Sequence, residues 1–267
     1  MNFYKKDRHY FLRYFIINAL VFGLVDILLM KKIHFDFNFA LADLFIALVA
    51  IVFGLAMATA FHNASHHNFK NKFLNILIGE FCGFYTLIGM RPFRVGHMLH
   101  HIHSDDPELD PHPPAGLSFI QFILTSHNRT IEVLKNVYRQ NHGASAKTEA
   151  NIKWQTVFHQ MGILFKILFI FIVFGPTLFV SFYVISYLAY FFGFAHLNYI
   201  SHLPDEDGEI RVKNHSQGFF YQVMNVLTSG GYYHKNHHLN PKLYNPSHYQ
   251  ARAKTSSFQI LSTELKV

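Results

Sequence analysis

Residues 39–66 read FALADLFIALVAIVFGLAMATAFHNASH, an apolar run that ends directly in His62 and His66. The apolar part, through Phe61, is about 23 residues long, enough for one helix to cross a hydrocarbon core about 30 Å thick. His62 and His66 stand one helical turn apart, so both imidazoles project from one face. The run therefore reads as a membrane helix that delivers two potential metal ligands to one side of the bilayer.

The flanking sequence supplies further crossings. A first span is expected at about residues 11–30. It follows Lys5, Lys6 and Arg8 and is too long for the apolar core of a signal peptide, with no small-residue cleavage site behind it. The link from Lys31 to Asp36 is short and polar, and the second span runs from about Phe39 to Phe61. The basic segment from Lys5 to Arg13 outweighs Lys31 and Lys32, which places the N-terminus and His62 in the cytoplasm. Residues 73–90 are apolar too, but contain Glu80, Gly79, Gly83 and Gly89. A crossing there would put His62 and His97 on opposite faces, so an in-plane or re-entrant segment is expected. The long apolar stretch from about Trp154 to Ala195 is interrupted by Gly175-Pro176, and proline breaks a helix by removing a donor and clashing with the preceding turn. Spans at about 154–174 and 177–195, joined by a tight turn, follow. The reading is an all-α integral membrane protein, a single domain over residues 1–267. Four transmembrane helices are capped by a cytosolic helical domain, and a polar tail runs from about 248 to 267.

Composition agrees with a membrane solvent. The chain is 51% hydrophobic and 17% aromatic, with 30 Phe and only 15% charged residues, fewer than a soluble domain of this size carries. A formal charge of +7 would raise nucleic acid as a partner in a soluble protein. Here the basic residues flank apolar spans, which fits anionic headgroups or an acidic electron donor and argues against nucleic acid. Cys82 is the only cysteine, so neither an intrachain disulfide nor a thiolate metal site can form.

Histidines recur in the pattern His97-x-x-His100-His101 and again as His234-x-x-His237-His238, with His196 and Asn198-Tyr-Ile-Ser-His202 between them. Zinc takes about four ligands, so this many imidazoles implies two metals. Zinc proteolysis is disfavoured because its helical motif needs a glutamate beside the first histidine, and position 63 is Asn. Metal-transporter loops are the competing picture, but those are irregular runs rather than repeated helical-face triplets. Neutral nitrogen donors suit iron, copper or zinc, and a pair of irons with open positions binds and activates dioxygen. Metal-bound histidines donate their other N–H to acceptors behind them, and the candidates are Asp105, Asp106, Glu108, Asp110, Asp205 and Glu80.

With these residues in view, the chain resembles the membrane fatty acid desaturase and hydroxylase superfamily. His62-x-x-x-His66, His97-x-x-His100-His101 and His234-x-x-His237-His238 look like its three histidine boxes. The run from His100 to Pro111 is similar to the stretch after the second box of acyl-lipid desaturases, and Gly230 to Pro241 resembles the surroundings of the third. The resemblance covers roughly residues 60–245. It implies two iron ions held by His62, His66, His97, His100, His101, His202, His234, His237 and His238. It also implies Asn198 as holder of a metal-bound water; among the candidate acceptors, Asp106 and Asp110 are the carboxylates expected behind the ligands. His67, His103 and His196 fall outside its spacing. Asn63 replaces the acid frequent after the first histidine, His67 stands where glycine is common, and Ser104-Asp105 replaces Thr-Asn, which leaves the subfamily open.

The activity implied is oxygen-dependent desaturation of a fatty acyl chain of a lipid or acyl thioester. The alternative is hydroxylation or ketolation of an alkyl, carotenoid or sterol substrate on the same ligands. Dioxygen is the co-substrate, and electrons are expected from a separate ferredoxin, rubredoxin or cytochrome. The expected location is a bacterial inner membrane, with the boxes cytoplasmic. A transporter would want polar groups within its spans, and the first two contain little beyond Asp26 and Asp43.

Overall fold

The computed structural model describes residues 7–250. The basic residues Lys5 and Lys6, and the expected polar tail from 251 onward, lie outside the described residues. Nine α-helices carry the described chain: α1 (Tyr10–Leu29), α2 (Ala42–Ser65), α3 (Lys72–Tyr85), α4 (Met90–Ile102), α5 (Phe119–His142), α6 (Ala146–Leu178), α7 (Ile185–Ser201), α8 (Phe219–Leu227) and α9 (His234–Leu239). A 3-10 turn follows α1, and a π-helical segment, Phe179–Val184, joins α6 to α7. The described residues contain no β-strand, only an isolated bridge between Pro204 and Ile210.

Among the described residues three stretches are long and apolar enough to cross a membrane: Tyr10–Lys32, Ala42–Ser65 and Ala146–Ser201. The last is 56 residues, roughly 84 Å as a continuous helix, far beyond one bilayer. Its break falls at Gly175, whose φ of 72° and ψ of 164° lie outside the helical range. Positive φ there favours glycine, and Pro176 has no amide proton to continue the ladder. Across this corner Phe171 meets Phe179 with ring centroids 5.3 Å apart, and Phe174 meets Phe182 at 6.1 Å. A straight helix would hold residues eight apart about 12 Å apart along its axis, so the chain bends sharply. α6 begins at Ala146, ahead of the span expected from 154, because Ser145 caps it by accepting the Thr148 N–H. α7 likewise continues beyond Ala195 to Ser201.

Among the described residues the chain folds as two compact units, 7–46 together with 135–184, and 47–134 together with 185–250. In the first, α1 lies along α6. Phe15 contacts His159 at 4.7 Å and Phe22 contacts Phe169 at 5.9 Å, while Gly23 faces Phe165. Both residue numbers rise together along this seam, so α1 and α6 run parallel. At one end, Arg8 binds the carbonyl of His142 and the hydroxyls of Ser145 and Thr148. At the other, the Asn38 N–H donates to Thr177 Oγ1 at 3.0 Å and Phe35 meets Phe171. The link after α1 and the Gly175 corner therefore share one end. Outward side chains of α1 such as Leu20, Leu24, Ile27 and Leu28 are exposed and apolar, a surface suited to lipid rather than water.

In the second unit, α3 and α4 form a corner bent by 98° across residues 86–89, in the segment expected to lie in plane or re-enter. Leu87 and Gly89 both have positive φ. A Cβ on Gly83 would overlap the backbone nitrogen of Met90, so glycine is what lets the two helices meet this closely. Beneath the corner, buried Phe61 and Phe93 stack with centroids 4.0 Å apart.

A candidate dinuclear metal centre

The last turn of α2 presents His62, and His66 follows immediately after it. α4 carries His97, His100 and His101, α9 carries His234, His237 and His238, and His202 stands directly after α7. These nine histidines converge in two groups. His62, His66, His97, His101 and His237 bring one ligand atom each within 4.8 Å of one another, and so do His100, His202, His234 and His238. Helical geometry explains the sorting. In each triplet the first and third histidines, four residues apart, share a face and a group, while the middle one turns to the other group. α4 thus gives two ligands to the first group and one to the second, and α9 does the reverse.

The nitrogens that meet are Nε2. His66 Nε2 lies 2.8 Å from that of His97, and His97 3.1 Å from His101. His237 lies 2.9 Å from His101 and 3.0 Å from His62. In the second group His234 lies 3.0 Å from His202 and 3.2 Å from His238. Burial, and then the neighbouring imidazoles, push His66, His237 and His238 well below the ordinary imidazole range, and burial with the His238 and His202 rings does the same for His234. Such rings are neutral at physiological pH and offer the lone pair that a cation needs.

Two carboxylates fix which nitrogen carries that lone pair. His100 Nδ1 donates to Asp110 at 3.0 and 3.1 Å, and His202 Nδ1 donates to Asp105 at 3.0 Å. With the proton on Nδ1, Nε2 is left as acceptor, and His100 Nε2 is buried with no hydrogen-bond partner. Asp110 also accepts the Asp105 N–H at 2.7 Å and the His112 N–H at 2.9 Å. Arg129 holds the loop from outside through the carbonyls of Asp110 and Pro107. A buried set of neutral, convergent, all-nitrogen donors with carboxylates behind two of them suits two transition-metal ions.

The remaining sequence candidates are placed as follows. Asp106 accepts the N–H groups of Glu108 and Leu109, each at 2.8 Å, and caps the loop. Those two amides lower its carboxyl pKa. Asn198 is buried, donates to the Phe194 carbonyl, and leaves Oδ1 buried without a partner. Glu80 lies 4.0 Å from Arg91, and Asp205 pairs with Arg211 and Lys213. His196 is hydrogen-bonded to the Tyr232 hydroxyl at 2.8 Å. His196, His67 and His103 belong to neither group. His112, which box spacing does not reach, stacks on His100 at 4.5 Å and forms a further cluster with His100 and Asp110. Only its place in Asp110-Pro-His112-Pro, two residues beyond the carboxylate, hinted at it.

A cavity adjoins the histidines. Its lining includes Leu55, Ala58 and Leu197, the polar Thr59, Asn63 and Thr228, and His62, His234 and His237, so both groups border it. Histidines from several helices, two groups that could each hold a metal ion and an adjoining cavity stand on an all-helical scaffold with several helices apolar enough to cross a membrane. The chain belongs to the fatty acid desaturase family, whose profile matches residues 37–256. No curated protein and no solved structure matches the chain. Membership implies an oxidoreductase acting on fatty acyl chains, in a family of desaturases and hydroxylases known for di-iron centres, and the two histidine groups could hold such a pair.

Proposed function

We propose that this protein introduces a double bond into a fatty acyl chain, with iron in both histidine groups. The observation that carries the proposal is the shared cavity: Leu55, Ala58 and Leu197 line it together with His62, His234 and His237, so a chain held there would lie beside histidines of both groups. Desaturation is favoured over hydroxylation by the His100 to Pro111 stretch and its likeness to acyl-lipid desaturases.

Iron would be held by His62, His66, His97, His101 and His237 at one position and by His100, His202, His234 and His238 at the other. When bound, the pair supplies the oxidising power of dioxygen toward an unactivated methylene, with electrons from a separate ferredoxin, rubredoxin or cytochrome. The protein contributes position and dryness. Leu55, Ala58 and Leu197 exclude water and hold the chain, so a displacement of about 1 Å changes which C–H bond is presented. Asp105 and Asp110 keep the protons of His202 and His100 on Nδ1. Asn198, four residues before His202, is assigned to a metal-bound water. The proposed topology is one desaturase-like domain with four spans, α1, α2 and the two arms of Ala146–Ser201, in a bacterial inner membrane. The parallel course of α1 and α6 supports it, and the histidine groups then lie on the cytoplasmic side under a helical cap.

The test is expression with a compatible reductase, followed by mass spectrometry of lipids and metal analysis of the purified protein. The expected product has lost two hydrogens, and it disappears in His100→Ala and His237→Ala. An oxygenated product dependent on the same histidines would replace desaturation by hydroxylation. Iron-free protein with unchanged lipids would refute both.

A further inference from the structure

α8 is an amphipathic helix turned inside out. Tyr221 and Asn225 face inward: Tyr221 packs on Tyr232, and Asn225 binds the His215 carbonyl and the Tyr232 N–H. The opposite arc is exposed and mostly apolar, with Phe219 83%, Val226 80% and Phe220 52% accessible, Val223 beside them and exposed Gln222 at its edge. Nine residues span only about 13 Å, too short to cross a bilayer. Its depth is set by α7. Phe220 packs against His196 with centroids 5.6 Å apart, and His196 precedes His202 by six residues, about 9 Å back along a helix of the apolar stretch Ala146–Ser201. Phe119 meets the same His196 at 5.9 Å, and its helix exposes Ile120 and Leu124. Phe220, on the apolar arc of α8, thus sits beside α7 about 9 Å before His202. α8 ends at Thr228, and Thr228, Ser229 and Gly231 form part of the cavity wall.

We propose that α8 is immersed in the acyl-chain boundary of the bilayer and forms the lip of a lateral portal, so that the substrate is an acyl chain of a membrane-resident lipid rather than of a water-soluble thioester. The proposal rests on the oxidase reading above. A short helix with an apolar face belongs in the membrane interface, and a contiguous exposed apolar surface marks a partner. Here the partner is lipid, because the helix is continuous with the wall that leads from the membrane helices to the histidines.

The test uses the full chain in phosphatidylcholine vesicles, with Cys82→Ala and a single fluorescent label at Val226→Cys or, as reference, Asp207→Cys. Nitroxide placed on the lipid acyl chains should quench the label at 226 severalfold more than at 207, and aqueous iodide should do the reverse. Equal iodide quenching at both positions would overturn immersion, as would cross-linking between copies through position 226 that shields it from iodide without nitroxide quenching. The double variant Phe219→Asp, Val226→Asp should raise KM severalfold for phospholipid acyl chains in vesicles, with metal content and turnover at saturation unchanged. Product formed only from a soluble acyl thioester would overturn the lipid assignment. The depth measurement needs no turnover. Absence of product from either substrate, in protein that binds both metals, would therefore overturn the oxidase reading and the portal while leaving immersion separately decided.

Discussion

Asp110→Asn separates a metal site from a chance cluster of histidines. The Asp110 carboxylate is fully buried, and every partner donates to it: His100 Nδ1 at 3.0 and 3.1 Å, the Asp105 N–H at 2.7 Å and the His112 N–H at 2.9 Å. Asparagine keeps the shape but replaces one acceptor oxygen by a donor. Either a backbone N–H then loses its acceptor, or His100 moves its proton to Nε2 and surrenders its lone pair. An unsatisfied buried N–H costs about 1–3 kcal/mol of folding free energy. Loss of the group behind a metal-bound histidine costs about 10–100-fold in metal affinity, or ~1.4–2.7 kcal/mol. The expected result is protein of wild-type helix content that loses one of its two metals on dialysis against a chelator the wild type withstands, measured by elemental analysis. Asp105→Asn acts the same way through His202, more weakly because its side chain is 14% exposed. Wild-type metal content and affinity in Asp110→Asn would refute the assignment of the second group.

Other outcomes follow from the same geometry. Burial holds His66, His234, His237 and His238 below their ordinary pKa of 6.5. The unfolded chain therefore binds more protons below that pH, and stability falls with pH there. Metal-free protein should keep a constant Tm above pH ~7 and lose stability as pH drops through about 6.5; a flat profile would contradict neutral, buried imidazoles. Gly83→Ala forces a Cβ into the Met90 backbone and should cost about 1–3 kcal/mol, read by thermal unfolding; unchanged stability would mean the α3–α4 corner relaxes freely. A Cβ on Gly193 would lie 2.5 Å from Leu55 Cδ2, and both residues line the cavity. Gly193→Ala should therefore raise KM for the acyl substrate, with relief on adding Leu55→Ala, and failure of the second change to relieve the first would exclude a steric cause.

Repetition made the centre legible. Two His-x-x-His-His triplets and one His-x-x-x-His pair state their own helical geometry; the structure gathers those eight histidines and, with them, His202, which only the family resemblance pointed to. The carboxylates were less legible because they lie in a loop without period. Asp105 and Asp110 reach His202 and His100, whereas Asp106, between them in sequence, turns to cap its own backbone. That choice is made by the positive φ of Asp105, which sequence does not reveal. The Gly175-Pro176 corner was legible because both residues act locally. His112 and Arg129 were not, since each matters only through Asp110.

The two groups also differ in charge, and this bears on what each metal can do. In the second, His100 and His202 each donate to a carboxylate, so two negative charges offset a divalent ion. In the first, Nδ1 of His66, His97 and His237 is buried with no hydrogen-bond partner among the described residues, so a divalent ion there keeps more of its positive charge. A histidine backed by a carboxylate is the more basic ligand and stabilises a higher oxidation state. Were metals bound, the four-histidine group would offer fewer but more basic nitrogens, with two carboxylates behind them, and the five-histidine group more nitrogens with no carboxylate hydrogen-bonded behind His66, His97 or His237.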